Sequence, residues 1–243
     1  MEKARKHEAL MIIPTYNEAE NIEALIRAIQ DLKLPLDILV VDDASPDGTG
    51  DIVEGLRDEF ENLFVTHRPG KMGLGTAYIA GFRYALANGY GIIMTMDSDF
   101  SHHPRYIPDL FIKRKDYDVV IGSRYVPGGG IQNWSLVRQG VSFVANKLAE
   151  AILGFVTRDN TSGFRLYNRR VLQSLHFDQI QSNGYSYLVE MLYICKKKRF
   201  KIGEVPILFD DRRVGKSKIS KTEIIKAVVT LIVCGLDRLI SVK

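Results

Sequence analysis

Two carboxylates one residue apart, Asp97 and Asp99, stand where the apolar run Gly91 to Met96 gives way to the polar stretch Ser98-Asp99-Phe100-Ser101-His102-His103-Pro104. A short Ile- and Met-rich run bounded by glycine and a polar turn predicts a buried strand ending at the acids. Residues two apart share a side of an extended chain, so the pair can converge on one ion, with Ser101 a third oxygen if the turn folds back. Hard cations prefer such ligands, and Mg²⁺ often takes only one or two carboxylates from the protein while substrate phosphates and water complete its shell. The chemistry suggested is that of a divalent cation and the phosphates it carries. A lone D-x-D is a weak signal, and its weight comes from the rest of the chain.

The elements that must position the pair alternate between strand and helix patterns, the mark of an α/β fold with a mostly parallel sheet. Strands are expected at Ala9 to Pro14, Asp37 to Val41, Leu63 to His67, Gly91 to Met96 and Tyr117 to Ile121. Helices between them follow from the apolar spacing of Ile22, Leu25, Ile26 and Ile29, then Ile52, Val53, Leu56 and Phe60, then Leu74, Ala77, Tyr78, Gly81, Phe82 and Ala85. Asn17 and Glu20 are spaced as a capping box for the first helix. Ligands of such folds lie beyond the carboxyl ends of the strands. Four of those ends are polar: Pro14 to Glu18, Asp42 to Thr49, Asp97 to Ser101, and Gly122-Ser123-Arg124. Acids, an aromatic and an arginine on one rim suit a nucleotide and a metal.

Past Tyr125 the alternation weakens. A glycine run at Gly128 to Gly130 leads to a long helix, about 135–155, with one apolar stripe of Val137, Val141, Val144, Leu148, Ile152 and Phe155. Lys201 to Phe209 reads as a late strand followed by a basic loop, and a last helix runs from Ser220 to Ile240. Its uncharged core AVVTLIVCGL is too short to span a bilayer but suits contact in the membrane plane. The division expected is a catalytic domain over 1–218 and a C-terminal amphipathic helix over 219–243.

The chain has 243 residues, 46% of them hydrophobic, enough for one large core. Cys195 and Cys234 match no metal or redox spacing and are expected to stay reduced. No signal core and no run of roughly 18 to 20 apolar residues is evident, so a cytoplasmic location is expected. The net charge of +4 is modest but uneven. Basic residues gather at Lys196 to Lys201 and at Arg212 to Lys221, where they can meet anionic lipid or a pyrophosphate.

In order, IIPTYNE (12–18), VVDDASPDGT (40–49), GKMGLGTAY (70–78), MDSDFSHHP (96–104), IGSRYVPGGG (121–130), TSGFRLY (161–167) and EVPILFDDRRVGKSK (204–218) resemble the family 2 inverting glycosyltransferases, and within them the dolichyl or polyprenyl phosphate mannose synthases. The resemblance implies a GT-A nucleotide-diphospho-sugar transferase fold. It implies transfer of mannose from GDP-mannose to a polyprenyl phosphate, with inversion and with Mg²⁺ or Mn²⁺. By the same resemblance Pro14, Tyr16, Glu18, Val41 and Asp43 hold the guanosine. Asp97, Asp99 and Ser101 surround the metal, with Ser98 on the nucleotide. Arg124, Arg212 and Lys218 meet the donor diphosphate or acceptor phosphate, with Arg138 and Ser142 on the acceptor side. Ser101 stands where some relatives carry Gln, a better metal ligand. A lipid acceptor implies a peripheral seat on the cytoplasmic face of a membrane, with or without small anchoring subunits.

The nearest competing reading keeps the fold and changes the donor to UDP-glucose or another nucleotide sugar, with undecaprenyl phosphate as acceptor. A processive polysaccharide synthase lacks its Gln-x-x-Arg-Trp sequence here. A dinucleotide fold is disfavoured because Gly73-Leu74-Gly75-Thr76-Ala77-Tyr78 lacks the third glycine and does not follow the first strand. A noncatalytic nucleotide-sensing or RNA-binding module is the other class, and it explains the charges but not Asp42, Asp43, Asp97 and Asp99 on one rim, for which a nucleic-acid groove has little use. The neighbouring histidines point apart, which favours a loop or helix-start role over zinc.

Overall fold

The computed structural model describes residues 5–211 and 221–241, with side chains of the last helix described over 225–240. The first half follows the expected alternation: β1 (Ala9–Thr15), α1 (Ile22–Gln30), β2 (Leu36–Asp42), α2 (Thr49–Leu56), β3 (Leu63–His67), α3 (Leu74–Ala87) and β4 (Ile92–Thr95). After α4 (Ile107–Lys113) come β5 (Val119–Ser123), the short β6 (Gly130–Ile131) and α5 (Leu136–Leu153). The remaining elements are β7 (Arg165–Asn168), α6 (Arg169–Gln173), α7 (Tyr187–Lys197), β8 (Ile202–Pro206), β9 (Leu208–Phe209) and α8 (Lys221–Ser241).

Seven strands form one sheet in the order β3-β2-β1-β4-β7-β5-β8, and β6 pairs with β9 in a separate ribbon. All pairings are parallel except those of β7, which runs antiparallel to both β4 and β5. Strands buried on both faces need mostly apolar residues, and β1, β2, β4 and β5 supply them, with every residue of each buried and the polar ones, Thr15, Asp37, Asp42, Thr95 and Ser123, at or next to a strand end. Tyr78 and Phe82 of α3 cover one face together with Tyr167, Tyr187 and Met191. Ile22, Leu25 and Ile26 of α1 cover the other with Ile107 and Leu110.

The structure corrects several local expectations. Asn17 is not an N-cap: it has a left-handed φ of 54° and donates its backbone N–H to Ser45 Oγ (3.0 Å), while the helix starts after Asn21. Ser45, Thr49 and Asp47, in the neighbouring loop and at the start of α2, accept the N–H groups of Asn17, Glu18 and Ala19 ahead of the helix, whose own N-cap Asn21 makes no side-chain capping bond. The fifth strand lies two residues later than expected, and the late strand divides at Ile207 between the main sheet and the ribbon. Phe60 lies beyond the end of α2. Strand β7 escapes the apolar pattern because it begins with Arg165. That side chain is fully buried and satisfied by donating to Ser162 O, Leu188 O and Asn160 O at 2.8 to 2.9 Å and to Tyr167 Oη at 3.4 Å.

The apolar stripe expected over about 135–155 faces outward except at its last member, because the helix ends at Leu153 and Phe155, beyond it, is buried in the core. Val137, Val141, Val144 and Leu148 are 48% to 77% exposed, whereas Asn146, Ala149 and Leu153 form the inner side. The helix stops at Gly154, whose φ of 65° suits the left-handed C-cap. A Cβ there would lie 2.6 Å from the Arg238 guanidinium carbon. Arg238 of α8 donates to Ile152 O (2.8 Å), and Lys196 of α7 donates to Leu153 O (2.6 Å) and Gly154 O (2.5 Å). Two cations thus satisfy the carbonyl end of α5 and its dipole.

Helix α8 is fastened further by Asp237, which accepts from Tyr193 Oη (2.7 Å) and Lys197 Nζ (2.8 Å). Its outward residues Ile225, Val229, Ile232, Leu236 and Leu239 are more than half exposed. Ile152, Ile232, Leu236 and Leu239 line one groove of about 580 Å³, so the outer faces of α5 and α8 are continuous. Among the described residues no helix is long and apolar enough to cross a membrane.

Candidate active site

Strand ends β1, β2, β4 and β5 converge on one rim, and loop hydrogen bonds hold them together. Asp42, the last residue of β2, accepts from Thr15 Oγ1 (2.8 Å) at the end of β1 and from Ser45 N (3.0 Å) and Oγ (2.6 Å). Asp47 accepts from Thr49 N (3.1 Å), Thr49 Oγ1 (2.6 Å) and Ala19 N (3.0 Å). Three of the polar residues that make this rim conspicuous in sequence, Asp42, Ser45 and Asp47, therefore stitch the backbone.

Around that frame Pro14 and Val41 are register partners on adjacent strands and are both buried. Tyr16 is half-buried with Lys71 Nζ 4.4 Å from its ring centroid. Glu18 is buried, accepts from Asn21 Nδ2 (3.0 Å) and donates its backbone N–H to Thr49 Oγ1 (2.9 Å). Asp43 is 5% exposed. Arg68 Nε approaches Asp43 Oδ1 at 2.8 Å without hydrogen-bond alignment, and the aligned contacts to Oδ2 come from Met72 N (3.2 Å) and Arg68 Nη2 (3.3 Å). Burial pushes the Asp43 carboxyl up, while Met72 and Arg68 oppose the rise. The structure brings Pro14, Tyr16, Glu18, Val41 and Asp43 to one side of the rim, with Lys71, Arg68 and Thr76 as neighbours that sequence reasoning missed.

Strand β4 ends at Thr95, so Asp97 and Asp99 lie in the turn beyond it, which folds back through Phe100 at a φ of 61°. Such a φ is uncommon outside glycine and marks a turn fixed by its surroundings. Ser101 donates its backbone N–H to Asp99 Oδ1 (3.1 Å), and its hydroxyl donates to the same oxygen. Ser101 is thus already committed to Asp99, and Ser98 is buried beside it.

Asp97 accepts from Tyr78 Oη (3.2 Å) and has His102 Nδ1 3.5 Å from its other oxygen. Burial pushes the Asp97 carboxyl up, His102 pulls the other way, and Asp99 adds to the rise. His102 is 1% exposed, packed against Phe164 and Phe209, and neither ring nitrogen has a hydrogen-bond partner among the described residues. The helix-start role falls to His103 alone, whose Nδ1 accepts from Arg105 N (3.1 Å).

This donor set fits a hard divalent cation. It consists of carboxylate oxygens, one of them raised by burial and by a like-charged neighbour, a strain that a cation relieves. No group of three or more His, Cys, Asp or Glu side chains placed to hold a metal occurs among the described residues. A cation here would therefore take one or two protein carboxylates and draw its other ligands from phosphate and water, the habit of Mg²⁺.

Arg124, just past β5, is 7% exposed. Its Nε and Nη2 donate to the two oxygens of Asp159 (2.7 Å each), and Nη2 also donates to Thr161 Oγ1 (2.7 Å). Tyr125, Trp134 and Phe209 surround the guanidinium at 5.2 to 5.7 Å. Arg138 lies 3.9 Å over the Trp134 ring and pairs with Asp211 (2.8 Å), and Ser142 Oγ accepts from Tyr125 Oη (2.8 Å). Arg138 and Ser142 therefore stand on the Arg124 side of the rim. Arg212 and Lys218 lie outside the described residues. Sequence reasoning missed Asp159 and Thr161 although a conspicuous motif begins at Thr161, because nothing local marks Asp159 as the partner of an arginine 35 residues away.

Comparison with known proteins agrees with this architecture. The chain is 42% identical over 227 residues to the undecaprenyl-phosphate mannosyltransferase of Micrococcus luteus, covering 93% of both chains. It is 40% identical over 220 residues to the polyprenol monophosphomannose synthase of Mycolicibacterium smegmatis, covering 90% of this chain and 83% of that one. Among solved structures it resembles Mycobacterium tuberculosis glucosyl-3-phosphoglycerate synthase in complex with Mn²⁺, UDP-glucose and phosphoglyceric acid. The TM-score is 0.68 at 20% identity, over 93% of this chain and 79% of the other, a likeness of fold. The fold is GT-A-like. The model of glycosyl transferase family 2 matches residues 11–175, and the chain belongs to that family.

Proposed function

We propose that this protein transfers mannose from GDP-mannose to a polyprenyl phosphate with inversion, giving a polyprenyl phosphate β-mannose. The observation that carries the reading is the pair of relatives at 42% and 40% identity, both named for joining mannose to a polyprenyl phosphate. The residues fit that chemistry. Tyr16, Glu18 and Asp43, with Pro14 and Val41 behind them, receive the guanosine, and Ser98 lies beside the nucleotide. Asp97 and Asp99 hold Mg²⁺ or Mn²⁺, with the Ser101 hydroxyl bracing Asp99. The cation supplies charge neutralisation at the diphosphate as it leaves.

Arg124, with Arg212 and Lys218 from the basic loop, provides fixed donors to phosphate oxygens, a role for which the planar guanidinium is better shaped than an ammonium. The nucleophile is a phosphate oxygen already ionised at neutral pH, so the site needs no strong general base. A single displacement then inverts the anomeric centre, and no carboxylate is required as a covalent nucleophile.

The continuous apolar face of α5 and α8 suits an acceptor that resides in lipid. The reading therefore seats the protein peripherally on a membrane with its cleft open to the cytoplasmic side, and the exposed apolar residues of the two helices support that seat. The test is transfer of mannose from GDP-mannose into the lipid phase with polyprenyl phosphate, with Mn²⁺ or EDTA, and with UDP-glucose as the competing donor. Transfer from UDP-glucose alone would overturn the donor. A requirement for added membrane subunits would replace direct lipid binding by a protein anchor.

A further inference from the structure

Arg124 has five N–H donors, and three are used inside the protein: Nε–H and one Nη2–H on Asp159, and the other Nη2–H on Thr161 Oγ1. The Nη1 group, with two N–H donors, has no hydrogen-bond partner among the described residues. The guanidinium is otherwise enclosed by Tyr125, Trp134 and Phe209. A side chain more than nine-tenths buried thus keeps two N–H donors without a partner among the described residues. Arg124 lies close enough to Asp97 to favour ionisation of that carboxylate, so these donors and the acid pair share one site.

The anion beneath the arginine is itself built in. Asp159 is fully buried, and it also accepts the backbone N–H of Arg124 (3.0 Å). Its loop is clamped from outside, because Glu204 of β8 accepts the N–H groups of Arg158 and Asp159 (2.9 Å each). Asn146, on the inner side of α5, accepts Asn160 N (2.7 Å) and donates to Thr161 Oγ1 (3.3 Å). Burial alone would raise the Asp159 carboxyl, and Arg124 brings it below its ordinary range instead. The bidentate pair with Asp159 uses one edge of the guanidinium, and the two N–H donors of Nη1 stay available to a second anion.

We propose that Asp159 is a positioning residue: with Thr161 it fixes the Arg124 guanidinium so that its Nη1 edge donates to a phosphate oxygen of the substrate. The inference rests on the mannosyl transfer reading for the identity of that phosphate but not for the clamp itself. A bidentate carboxylate determines the plane of a guanidinium, and misplacement by about 1 Å can cost about a hundredfold in rate. The neutral pair Arg124–Asp159 then acts as an oriented donor rather than a mobile charge. Lysine, lacking the fork, cannot reproduce it.

The test compares Asp159→Asn, Arg124→Ala and the double variant in the full-length protein, with GDP and Mn²⁺ affinity, kcat and KM for polyprenyl phosphate, and the ¹⁵Nε–H spectrum of arginine. Thr161→Val, which removes the hydroxyl that Arg124, Asn146 and Asp159 share but little volume, serves if Asp159→Asn does not fold. The expected result is GDP affinity within about twofold and kcat/KM for the acceptor lower by about 10- to 100-fold in Asp159→Asn, with no further loss when it is added to Arg124→Ala. Thr161→Val should lose about threefold by the same route. A slowly exchanging Nε–H signal, identified by its disappearance in Arg124→Lys, should lose protection in Asp159→Asn.

Equal losses from Asp159→Asn with and without Arg124 would overturn the positioning role, as would wild-type rates in Asp159→Asn or Thr161→Val. If wild-type protein transfers no mannose yet shows the protected Arg124 signal released by Asp159→Asn, the clamp stands and the substrate reading falls. An unprotected Arg124 signal in protein that transfers mannose overturns the clamp alone.

Discussion

Charging the outer face of α5 should release the protein from lipid without touching the cleft. Val141, Val144 and Leu148 on α5, and Val229, Ile232, Val233 and Leu236 on α8, are 47% to 59% exposed. Covering the remaining half of each in the apolar margin of a bilayer gains roughly 1 kcal/mol per side chain, on the order of 7 kcal/mol for the patch before ordering costs. The double substitution Val144→Asp and Leu148→Asp removes about 2 kcal/mol of that gain and adds a similar desolvation cost for the carboxylates. The combined loss of about 4 kcal/mol corresponds to a fall in partitioning of roughly a thousandfold. Flotation with vesicles of anionic and neutral phospholipid, at matched protein concentration, measures it. Metal-dependent GDP binding should be unchanged, because both positions face away from the core. Equal flotation of the variant and the wild type, with GDP binding intact, would refute the assignment of this face to lipid.

Other consequences follow from particular contacts. Asp237 is held below the usual carboxylate range first by Lys197 and then by Tyr193. Its contribution to stability is therefore complete above the unfolded carboxylate pKa of about 3.9 and is lost as pH falls through its lower folded value. Asp237→Asn should flatten that acid limb in urea titrations, and an unchanged limb would show that α8 is held otherwise. Burial pushes both Cys195 and Cys234 up to about 12, so neither thiol should react with Ellman's reagent at pH 8 in the native protein, and both should react in denaturant. Gly81 sits where a Cβ would come 2.6 Å from Ile12 Cγ2 in the core, so Gly81→Ala should lower stability by about 1 to 3 kcal/mol in denaturant melts. Tyr78→Phe removes the hydroxyl that donates to Asp97 and should weaken Mn²⁺-dependent GDP binding severalfold while leaving GDP binding in EDTA unchanged, as read by calorimetry.

The alternation that builds the sheet was legible because β1, β2, β4 and β5 are buried on both faces and so read as apolar runs. The antiparallel β7 was not, since its buried Arg165 is satisfied by carbonyls of the loop just before it and of α7, which no periodic pattern marks. The acid pair was found by spacing and position at a strand end. What surrounds it was not: Tyr78 reaches Asp97 from α3, and Asp159 reaches Arg124 from a loop after α5. Such partners leave no periodic or local mark. Sequence spacing also overstates the rim's free acids, because Asp42 and Asp47 are committed to backbone and hydroxyl donors. The outward stripe of α5 was visible, but its direction depends on Asn146, Ala149 and Leu153 facing inward, which only packing decides.

The most direct measurement of the central claim follows radiolabelled mannose from GDP-mannose into polyprenyl phosphate with Mn²⁺, using wild-type protein and Asp99→Ala. The account expects label in the lipid phase, abolished by EDTA and reduced at least a hundredfold in the variant. Undiminished transfer by Asp99→Ala would contradict the metal assignment, and no transfer by folded, GDP-binding wild type with a polyprenyl phosphate in vesicles would contradict the function proposed.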